Sequence, residues 1–262
     1  MTPGIRTRVA LRTVALGGWT LGTTQIALVH QWLTPPEARE ALRDEWVRTW
    51  ARGLVRVLGV EERIVAPAPP IARGARLVVS NHRSPLDILL MLEHCGGSVL
   101  ARADLEGWPV LGRAAREGGT IFVDRADPRS GARAIRAIRK HLARGRTVTV
   151  FPEGTTHRGD QVHAFHGGAF SALRGIEADI LPVGVAYEAG AEFVGEPFGA
   201  YLARMAGRPR IPVALCFGTP RPAATGREAL ARELRAEVQG LVERARTALD
   251  ANGAPAADRS AR

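Results

Sequence analysis

The sequence predicts an α/β domain, in which a mainly parallel sheet is covered by helices, preceded by an amphipathic helical segment. Beyond the proline-rich stretch at residues 66–70, short apolar runs alternate with helical patterns, as they do in parallel sheets. The chain has 262 residues, 45% of them hydrophobic and 24% charged, so it can bury a sizeable core. We therefore expect an α/β domain at residues 66–251, an N-terminal region at residues 1–65 and a disordered tail at residues 252–262.

The elements of the domain follow from the period of its hydrophobic residues. Apolar and β-branched runs predict strands at residues 76–80, 98–101, 120–123, 147–151, 180–186 and 212–217. Helical periodicity predicts helices at residues 85–95, 110–117, 130–144, 168–174 and 227–250. Because the two types alternate, helices are expected to cover the sheet.

The N-terminal region is rich in tryptophan. Residues 13–29 carry no charge, but glycine, threonine and glutamine dilute them, so they make a poor transmembrane span and a poor signal peptide. Amphipathic rings suit a membrane interface. Four of the five tryptophans lie within residues 1–50, namely Trp19, Trp32, Trp46 and Trp50. We therefore expect an uncleaved segment that inserts shallowly into a membrane.

Residues 37–60 form the clearest amphipathic helix of this region. Its apolar face consists of Trp46, Trp50, Leu54, Val57 and Leu58. Its basic face consists of Arg48, Arg52 and Arg56. Such a helix either packs its apolar face on the α/β domain or lies on anionic lipid, and one helix can do both.

Positive charge dominates the composition. The formal net charge is +10, and nearly all of the positive charge is arginine, since Lys140 is the single lysine. A planar guanidinium suits phosphate, so the excess indicates phospholipid head groups, phosphorylated substrates or nucleic acid as partners. The two cysteines, Cys95 and Cys216, match neither a CxxC pair nor a zinc-ligand spacing, which argues against a disulfide framework and a structural zinc.

One motif has the residues of a general base. The sequence SNHRSPLD at residues 80–87 leaves a predicted strand and enters a helix through Pro85. Catalytic groups of open α/β sheets gather at the carboxyl ends of strands, which is where His82 stands. Asp87 falls in the first helical turn, close enough to accept the imidazole N–H of His82, which leaves the other ring nitrogen to take a proton from a hydroxyl. The alternative is that both residues only cap the helix.

Three more blocks accompany this motif, namely GTIFVDR at residues 119–125, FPEGT at residues 151–155 and ILPVGV at residues 180–185. In this order and spacing, the four blocks resemble the lysophosphatidic acid acyltransferase family of glycerolipid synthesis. The family's motifs run NHxxxxD, an aspartate-arginine pair, FPEGT and a Pro-Val strand, and the resemblance covers about residues 77–220. It implies the glycerolipid acyltransferase fold and transfer of a fatty acyl group to the hydroxyl of a lysophospholipid.

The resemblance also assigns the reacting groups. It implies that His82 deprotonates the acceptor hydroxyl, that Asp87 orients His82, and that the alkoxide attacks the thioester directly. From loop chemistry we expect backbone N–H groups near Gly154 to stabilise the oxyanion. No cofactor and no metal are expected; acyl-CoA or acyl-ACP is the co-substrate.

Substrate-binding residues follow from the same resemblance. Arg125 matches the family arginine that holds the acceptor's phosphate, which a guanidinium binds through two oxygens. The alternative for Arg125 is a surface ion pair with Asp124 or Asp127. The remaining residues expected in the acceptor loop and in the acyl or carrier groove are Glu153, Gly154, Thr155, Arg158, Pro182 and Val183.

One position departs from the family pattern. Thr156 stands where much of the family has an arginine directly after FPEGT, and Arg158 is the substitute that the loop offers. The expected acceptor is 1-acyl-sn-glycerol-3-phosphate, giving phosphatidic acid; another lysolipid, such as lyso-ornithine lipid, is the alternative. We interpret His157, His163 and His166 as polar loop residues rather than a metal site, since no carboxylate or cysteine completes a ligand set.

Two other classes of protein remain as alternatives. A thioesterase would use the same histidine and aspartate to activate water, although the sequence has no GxSxG elbow. An arginine-rich, non-enzymatic module would bind membrane or nucleic acid, with the four blocks as sheet cores. The acyltransferase interpretation expects an anionic membrane surface as partner and no nucleic acid. It places the protein on the cytoplasmic face of the cell membrane as a peripheral or monotopic protein, because a positive N-terminus favours that side.

Overall fold

The computed structural model describes residues 2–71, 74–107, 111–124, 127, 129–222 and 226–253. The helices are α1 (Pro3–Leu33), α2 (Arg39–Leu58), α3 (Leu86–Cys95), α4 (Leu111–Glu117), α5 (Ser130–Leu142), α6 (Phe198–Gly207) and α7 (Arg227–Gly253), with 3₁₀ turns at Ala103–Gly107 and Ala169–Leu173. The strands are β1 (Val60–Ala66), β2 (Arg76–Ser80), β3 (Ser98–Arg102), β4 (Ile121–Val123), β5 (Thr147–Val150), β6 (Asp179–Tyr187), β7 (Ile211–Phe217) and β8 (Arg221–Pro222).

The strands form a sheet in the order β1-β7-β6-β2-β5-β3-β4, with β8 paired to β6. Strands β4, β3, β5, β2 and β6 run parallel to one another, and β1 runs parallel to β7, whereas β6 pairs with β7 and β8 in antiparallel fashion. The predicted fold class, a mainly parallel sheet covered by helices, is therefore confirmed. Because β2, β4 and β5 are parallel, their carboxyl ends lie along one edge of the sheet, and the loops after them can share a site.

Several elements differ from the prediction. The sequence does not predict β1, because its charged residues interrupt the apolar run that predicts a strand. As an edge strand with a single partner, β1 can form without such a run. Since β1 pairs with β7, the sheet begins before residue 66. The sequence does not predict α6 either. Helix α7 continues to Gly253, into the expected tail, and residues 254–262 of that tail lie outside the described residues.

Helices cover both faces of the sheet and create two cores. Alternate residues of β2 point to opposite faces, so Leu77 and Val79 join one core and Val78 joins the other. The first core includes side chains of α5 and α7, and the second includes side chains of α2, α3 and α6. This packing holds the start of α3 at the carboxyl end of β2.

Helix α2 packs on the α/β domain, which is one of the two roles expected of it. Its buried face consists of Leu42, Val47, Ala51, Leu54, Val55 and Leu58. This face is rotated from the predicted one, so that Trp46 and Trp50 are only partly buried. The tryptophans therefore face the neighbouring helix α1 and the space beneath it rather than the centre of the core.

Arg48 corrects the predicted basic face of α2. Its guanidinium donates to the carbonyl oxygens of Glu93 at 3.2 Å, His94 at 2.8 Å and Cys95 at 2.7 Å. Cations are favourable at the carboxyl end of a helix, so Arg48 caps α3. Arg52 bonds Glu93 at 3.0 Å. Two of the three arginines expected to face lipid therefore join α2 to α3.

Helix α1 lies against α2 and α6. Trp19 Nε1 donates to the carbonyl oxygen of Trp50 at 3.0 Å, and Trp50 Nε1 bonds Thr20 Oγ1 at 3.1 Å. The other side of α1 exposes large apolar side chains, namely Leu11, Val14, Leu21, Ile26, Val29, Trp32 and Leu33. Within the described part of the chain, no helix is both long and apolar enough to cross a membrane.

Candidate active site

His82 and Asp87 meet at the carboxyl end of β2. His82 lies in the loop after the strand, and Pro85 precedes the first turn of α3, which carries Asp87. Nδ1 of His82 is 2.9 Å from Oδ2 of Asp87, so the expected hydrogen bond is present. The Asp87 side chain is fully buried, whereas the His82 side chain remains 15% exposed. The imidazole thus presents its other nitrogen toward solvent-accessible space.

The Asp87 carboxylate is surrounded by donors. Besides the His82 ring, Oδ2 accepts the backbone N–H groups of Arg83 at 2.6 Å and Ser84 at 2.9 Å. Oδ1 accepts the hydroxyl hydrogen of Tyr187 at 2.6 Å. Both backbone N–H groups lie before α3, whose N-cap residue Pro85 has no side-chain cap hydrogen bond, so Asp87 joins the His82 loop to the first turn of the helix while it orients the imidazole. With Asp87 accepting, Nδ1 of His82 carries the proton and Nε2 is left with a free lone pair.

Tyr187 is a site residue that the sequence alone does not identify. It ends β6 and is buried beside the carboxylate. Burial and the nearby charge of Asp87 raise the pKa of Tyr187 well above its ordinary value, so its hydroxyl stays a neutral donor. Only a general feature of the sequence points to Tyr187: a tyrosine at the end of a buried strand usually finds a hydrogen-bond partner for its hydroxyl.

Phe151, the first residue of the FPEGT block, holds the imidazole from its face. The rings of His82 and Phe151 are stacked at 4.2 Å with an interplanar angle of 17°. Because β5 and β2 are neighbours, the block follows β5 at the same edge of the sheet. Stacking restricts rotation of the His82 ring and aims Nε2 into the site.

Glu153 does not occupy the position expected of a substrate-binding side chain. Its carboxylate is fully buried and accepts the backbone N–H of His82 at 2.9 Å and the guanidinium of Arg83 at 3.0 Å. Arg83 is equally buried and also donates to the carbonyl oxygens of Gly159 at 2.5 Å and Gln161 at 2.7 Å. The Arg83–Glu153 pair therefore fixes the FPEGT loop to the His82 loop, and Glu153 acts on the site through its backbone partners.

Gly154 has a positive φ of 78°, which favours glycine, and an added Cβ would lie 3.2 Å from the His166 ring. Its N–H donates to the carbonyl oxygen of Phe151 at 3.1 Å. The Gly154 amide is therefore already engaged, and the expectation of oxyanion donors among the backbone N–H groups near Gly154 stays a prediction. Thr155 and Arg158 are exposed in the same loop.

Pro182 and Val183 lie within β6 and are both buried. Val183 belongs to the core beneath α2, α3 and α6. This Pro-Val pair packs inside the sheet, and its expected part in shaping the acyl or carrier groove stays a prediction. Arg125 lies outside the described residues, so its expected phosphate contact stays a prediction. Asp127, one alternative partner of Arg125, forms an ion pair with Arg133 at 2.6 Å.

The structure contains an apolar cavity of about 190 Å³. It lies between α1, α2, α3, α4 and the strands β3 and β4, and its lining is mainly apolar. Pro85, three residues after His82, forms part of this lining, as do Trp46 and Trp50 of α2. The partly buried tryptophans thus close the side of the cavity under α1.

The described residues contain two groups that could hold a metal ion, with ligand atoms within 4.8 Å of one another. One is Glu153 with His157 and His163, and the other is Glu62 with Glu93 and His94. The expectation that no carboxylate accompanies the loop histidines is therefore wrong, since folding brings Glu153 to them. The Glu153 carboxylate, however, already bonds Arg83, His82 N–H and the backbone N–H of His163 at 3.2 Å.

Comparisons with known proteins agree on one family. The family model described as Acyltransferase matches residues 60–186, which include the histidine motif and FPEGT. The chain is 33% identical over 165 residues to the lyso-ornithine lipid O-acyltransferase of Pseudomonas aeruginosa, covering 59% of this chain and 61% of that protein. It is 32% identical over 145 residues to the 1-acyl-sn-glycerol-3-phosphate acyltransferase of Neisseria meningitidis serogroup B, covering 55% and 56%.

A longer match is to the lyso-ornithine lipid O-acyltransferase of Brucella abortus, 31% identical over 194 residues, covering 64% of this chain and 72% of that protein. The matches to the proteins from Pseudomonas aeruginosa and Neisseria meningitidis span only about three fifths of the lengths of those relatives. Among solved structures, the 1-acyl-sn-glycerophosphate (LPA) acyltransferase from Thermotoga maritima has a TM-score of 0.64 at 20% identity, covering 95% of this chain and 100% of that chain. This last likeness shows a shared fold.

Proposed function

The chain belongs to the acyltransferase family, and we propose that it transfers a fatty acyl group from a thioester to the hydroxyl of a lysophospholipid. The observation that carries the proposal is the His82–Asp87 pair, together with an apolar cavity whose lining includes Pro85 of the same motif. The pair supplies a base at the sheet edge, and the cavity supplies a place for the apolar part of a lipid substrate.

In the proposed reaction, Nε2 of His82 removes the proton from the acceptor hydroxyl. The alkoxide attacks the thioester carbonyl, the new ester C–O bond forms, and the C–S bond breaks. The imidazolium returns its proton to the departing thiolate. Asp87 stabilises the imidazolium through Nδ1, and Tyr187 holds the other carboxylate oxygen. No cofactor takes part in this sequence; acyl-CoA or acyl-ACP is the co-substrate.

Direct transfer is also supported by the cysteines. Burial raises the pKa of the Cys95 thiol to about 12, and Cys216 is buried as well. Neither cysteine is therefore placed to supply a thiolate nucleophile for an acyl-enzyme intermediate. A histidine base that activates the acceptor itself does not require one.

We propose 1-acyl-sn-glycerol-3-phosphate as the acceptor, giving phosphatidic acid. The relative from Neisseria meningitidis supports this choice, as does the match of Arg125 to the family arginine. Lyso-ornithine lipid is the second candidate, supported by the relatives of that name. Thr156 favours lyso-ornithine lipid as acceptor, since this residue stands where much of the family has an arginine. Its hydroxyl donates to the carbonyl oxygen of Phe193 at 2.5 Å and so does not take over a phosphate contact.

We also propose that the protein works on the anionic, cytoplasmic face of the cell membrane. The exposed apolar side of α1 fits shallow insertion among lipids, and the net charge of +10 favours an anionic surface. The cavity runs beneath α1, so insertion of this helix would bring the site close to its lipid substrates.

Thioester consumption tests the proposed reaction. The full chain is incubated with palmitoyl-CoA or palmitoyl-ACP, with lysophosphatidate, lyso-ornithine lipid or no acceptor, and products are identified by mass spectrometry. Acceptor-dependent loss of thioester with a diacylated product is the expected result. Equal loss without an acceptor would indicate a thioesterase, and an intact thioester under every condition would overturn the proposed function.

A further inference from the structure

We propose that His157 and His163 form the part of the acceptor site that binds an anionic head group, either a phosphate or the carboxylate of an amino-acid lipid. The inference rests on the proposed function, because it names what holds the acceptor beside His82. Both histidines belong to the loop after FPEGT, where the sequence lacks the usual arginine.

The backbone connects this pair to the base. The N–H of His157 donates to the carbonyl oxygen of His82 at 3.0 Å. The N–H of His163 donates to Glu153, whose carboxylate also accepts the N–H of His82. The backbone of both histidines is therefore held by the same hydrogen bonds that fix the catalytic loop. Both remain accessible, His163 being exposed and the His157 side chain 26% exposed.

The ring arrangement suits a polyatomic anion better than a metal ion. The imidazoles of His157 and His163 are stacked at 3.8 Å with an interplanar angle of 21°. Ring nitrogens bind metals through lone pairs in the ring plane, and two nearly parallel planes do not meet at one nearby ion. Two N–H donors in stacked planes can instead each reach a different oxygen of one phosphate or carboxylate.

Charged groups on both sides influence the protonation of His157. Burial lowers the pKa of His157, the interactions with His163, Arg83 and His82 lower it further, and the carboxylate of Glu153 raises it. His157 Nε2 lies 3.8 Å from Glu153 Oε2, a carboxylate already shared with Arg83. A bound anion would favour the protonated form of His157. We therefore expect tighter acceptor binding at lower pH.

The other polar side chains of the loop have different surroundings. Thr156, at the position of the family arginine, is tied to Phe193. His166 lies beside Gly154, outside the stacked pair. Arg158 is exposed two residues further along. The stacked histidines are the pair whose backbone is held by the hydrogen bonds that fix the catalytic loop.

Steady-state kinetics of the full chain test the inference. His157→Gln and His163→Gln are compared with the wild type, with palmitoyl-CoA as donor and lysophosphatidate, lyso-ornithine lipid or lysophosphatidylcholine as acceptor. We expect KM for the preferred anionic acceptor to rise about tenfold or more, which is the effect of losing one charge-assisted hydrogen bond, with kcat and the donor KM within about twofold. His166→Gln is the matched control.

The acceptor that responds identifies the head group. A KM effect confined to lysophosphatidate assigns the phosphate, and one confined to lyso-ornithine lipid assigns the carboxylate. In the wild type that KM should rise as the pH is raised above the lowered pKa of His157, and His157→Gln should flatten the rise. If the wild type turns over but neither variant changes an acceptor KM, the inference is overturned and the proposed function stands.

A second measurement, by NMR, tests the head-group site even if the wild-type protein shows no acyl transfer. The imidazole proton and carbon resonances of His157 and His163 are followed by NMR during titration with sn-glycerol 3-phosphate, Nα-acetylornithine or Zn²⁺. Shifts of both rings with either anion support the head-group site even when the proposed function has failed. The absence of shifts with both anions, or shifts with Zn²⁺ alone, would overturn it.

Discussion

Tyr187 donates its hydroxyl hydrogen to Oδ1 of Asp87 at 2.6 Å, while His82 occupies Oδ2 of the same carboxylate. The last residue of β6 and the loop after β2 thus meet on one buried group. Strand pairing makes this possible, since β6 lies directly beside β2 in the sheet. The carboxylate is held from both sides, and the direction of the His82 ring follows from it.

Tyr187→Phe should leave Oδ1 of Asp87 without this donor. We expect a loss of about 1–3 kcal/mol in the free energy of unfolding, since a buried acceptor is left unsatisfied. We also expect kcat to fall about tenfold, because the carboxylate that stabilises the imidazolium is held less firmly. Urea unfolding and initial rates measure the two effects. Tyr201→Phe is the control for kcat, because it also removes a buried hydroxyl but one that bonds Ser84 rather than Asp87.

Glu153→Gln should be strongly destabilising. The substitution leaves the guanidinium of Arg83 buried without its counter-charge, which typically costs about 3–5 kcal/mol. Glu233→Gln removes a carboxylate from an exposed pair with Arg221 and should cost less than about 1 kcal/mol. Both are measured by denaturant unfolding. Equal effects of the two substitutions would show that the Arg83–Glu153 pair does not hold the loops together.

Gly53→Ala should displace α1 from α2. An added Cβ would lie 2.0 Å from the indole ring of Trp19, so the ring must move despite the better helix propensity of alanine. Overpacking of this kind costs roughly 1–3 kcal/mol. Gly240→Ala is the control, since nothing lies within 4 Å of its added Cβ. If thermal unfolding shows Gly53→Ala to be as stable as Gly240→Ala, the close contact of Trp19 with α2 is wrong.

Replacing exposed apolar residues of α1 should weaken membrane binding. Val14, Ile26 and Trp32 are 75%, 57% and 78% exposed. Changing all three to serine should lower the partition coefficient for anionic vesicles at least about tenfold, because burying one such side chain contributes roughly 1.5–3 kcal/mol. Vesicle flotation measures this. Ile71→Ser, at an exposed position outside α1, should change nothing; equal losses in both proteins would contradict the assignment of α1.

The sequence predicts the repeating part of the fold well. Strands such as β2 and β6 are buried on both faces and therefore appear as continuous apolar runs. Edge strand β1 contains Glu61, Glu62 and Arg63, so its run is broken and its pairing with β7 depends on contacts far apart in the sequence. Helix α2 is predicted as a helix, but its orientation depends on Arg48 reaching α3.

Some contacts of the candidate site can likewise be predicted from the sequence, and others depend on the fold. His82 and Asp87 are five residues apart, so local spacing is enough to predict their hydrogen bond. Tyr187 and the Arg83–Glu153 pair come together only through strand order and loop packing. For that reason the sequence assigns Glu153 to substrate, whereas folding places its carboxylate inside the protein. The stacking of His157 on His163 likewise depends on how the loop closes.

The central claim is that Nε2 of His82 activates the acceptor hydroxyl. Its most direct test is the single-turnover rate of acyl transfer by His82→Ala, with His30→Ala as control and thermal unfolding as the check on folding. The account predicts a fall of about a hundred- to ten-thousand-fold for His82→Ala, with an unchanged unfolding midpoint and a normal rate for His30→Ala. A His82→Ala protein that transfers acyl groups within about tenfold of the wild-type rate would contradict it.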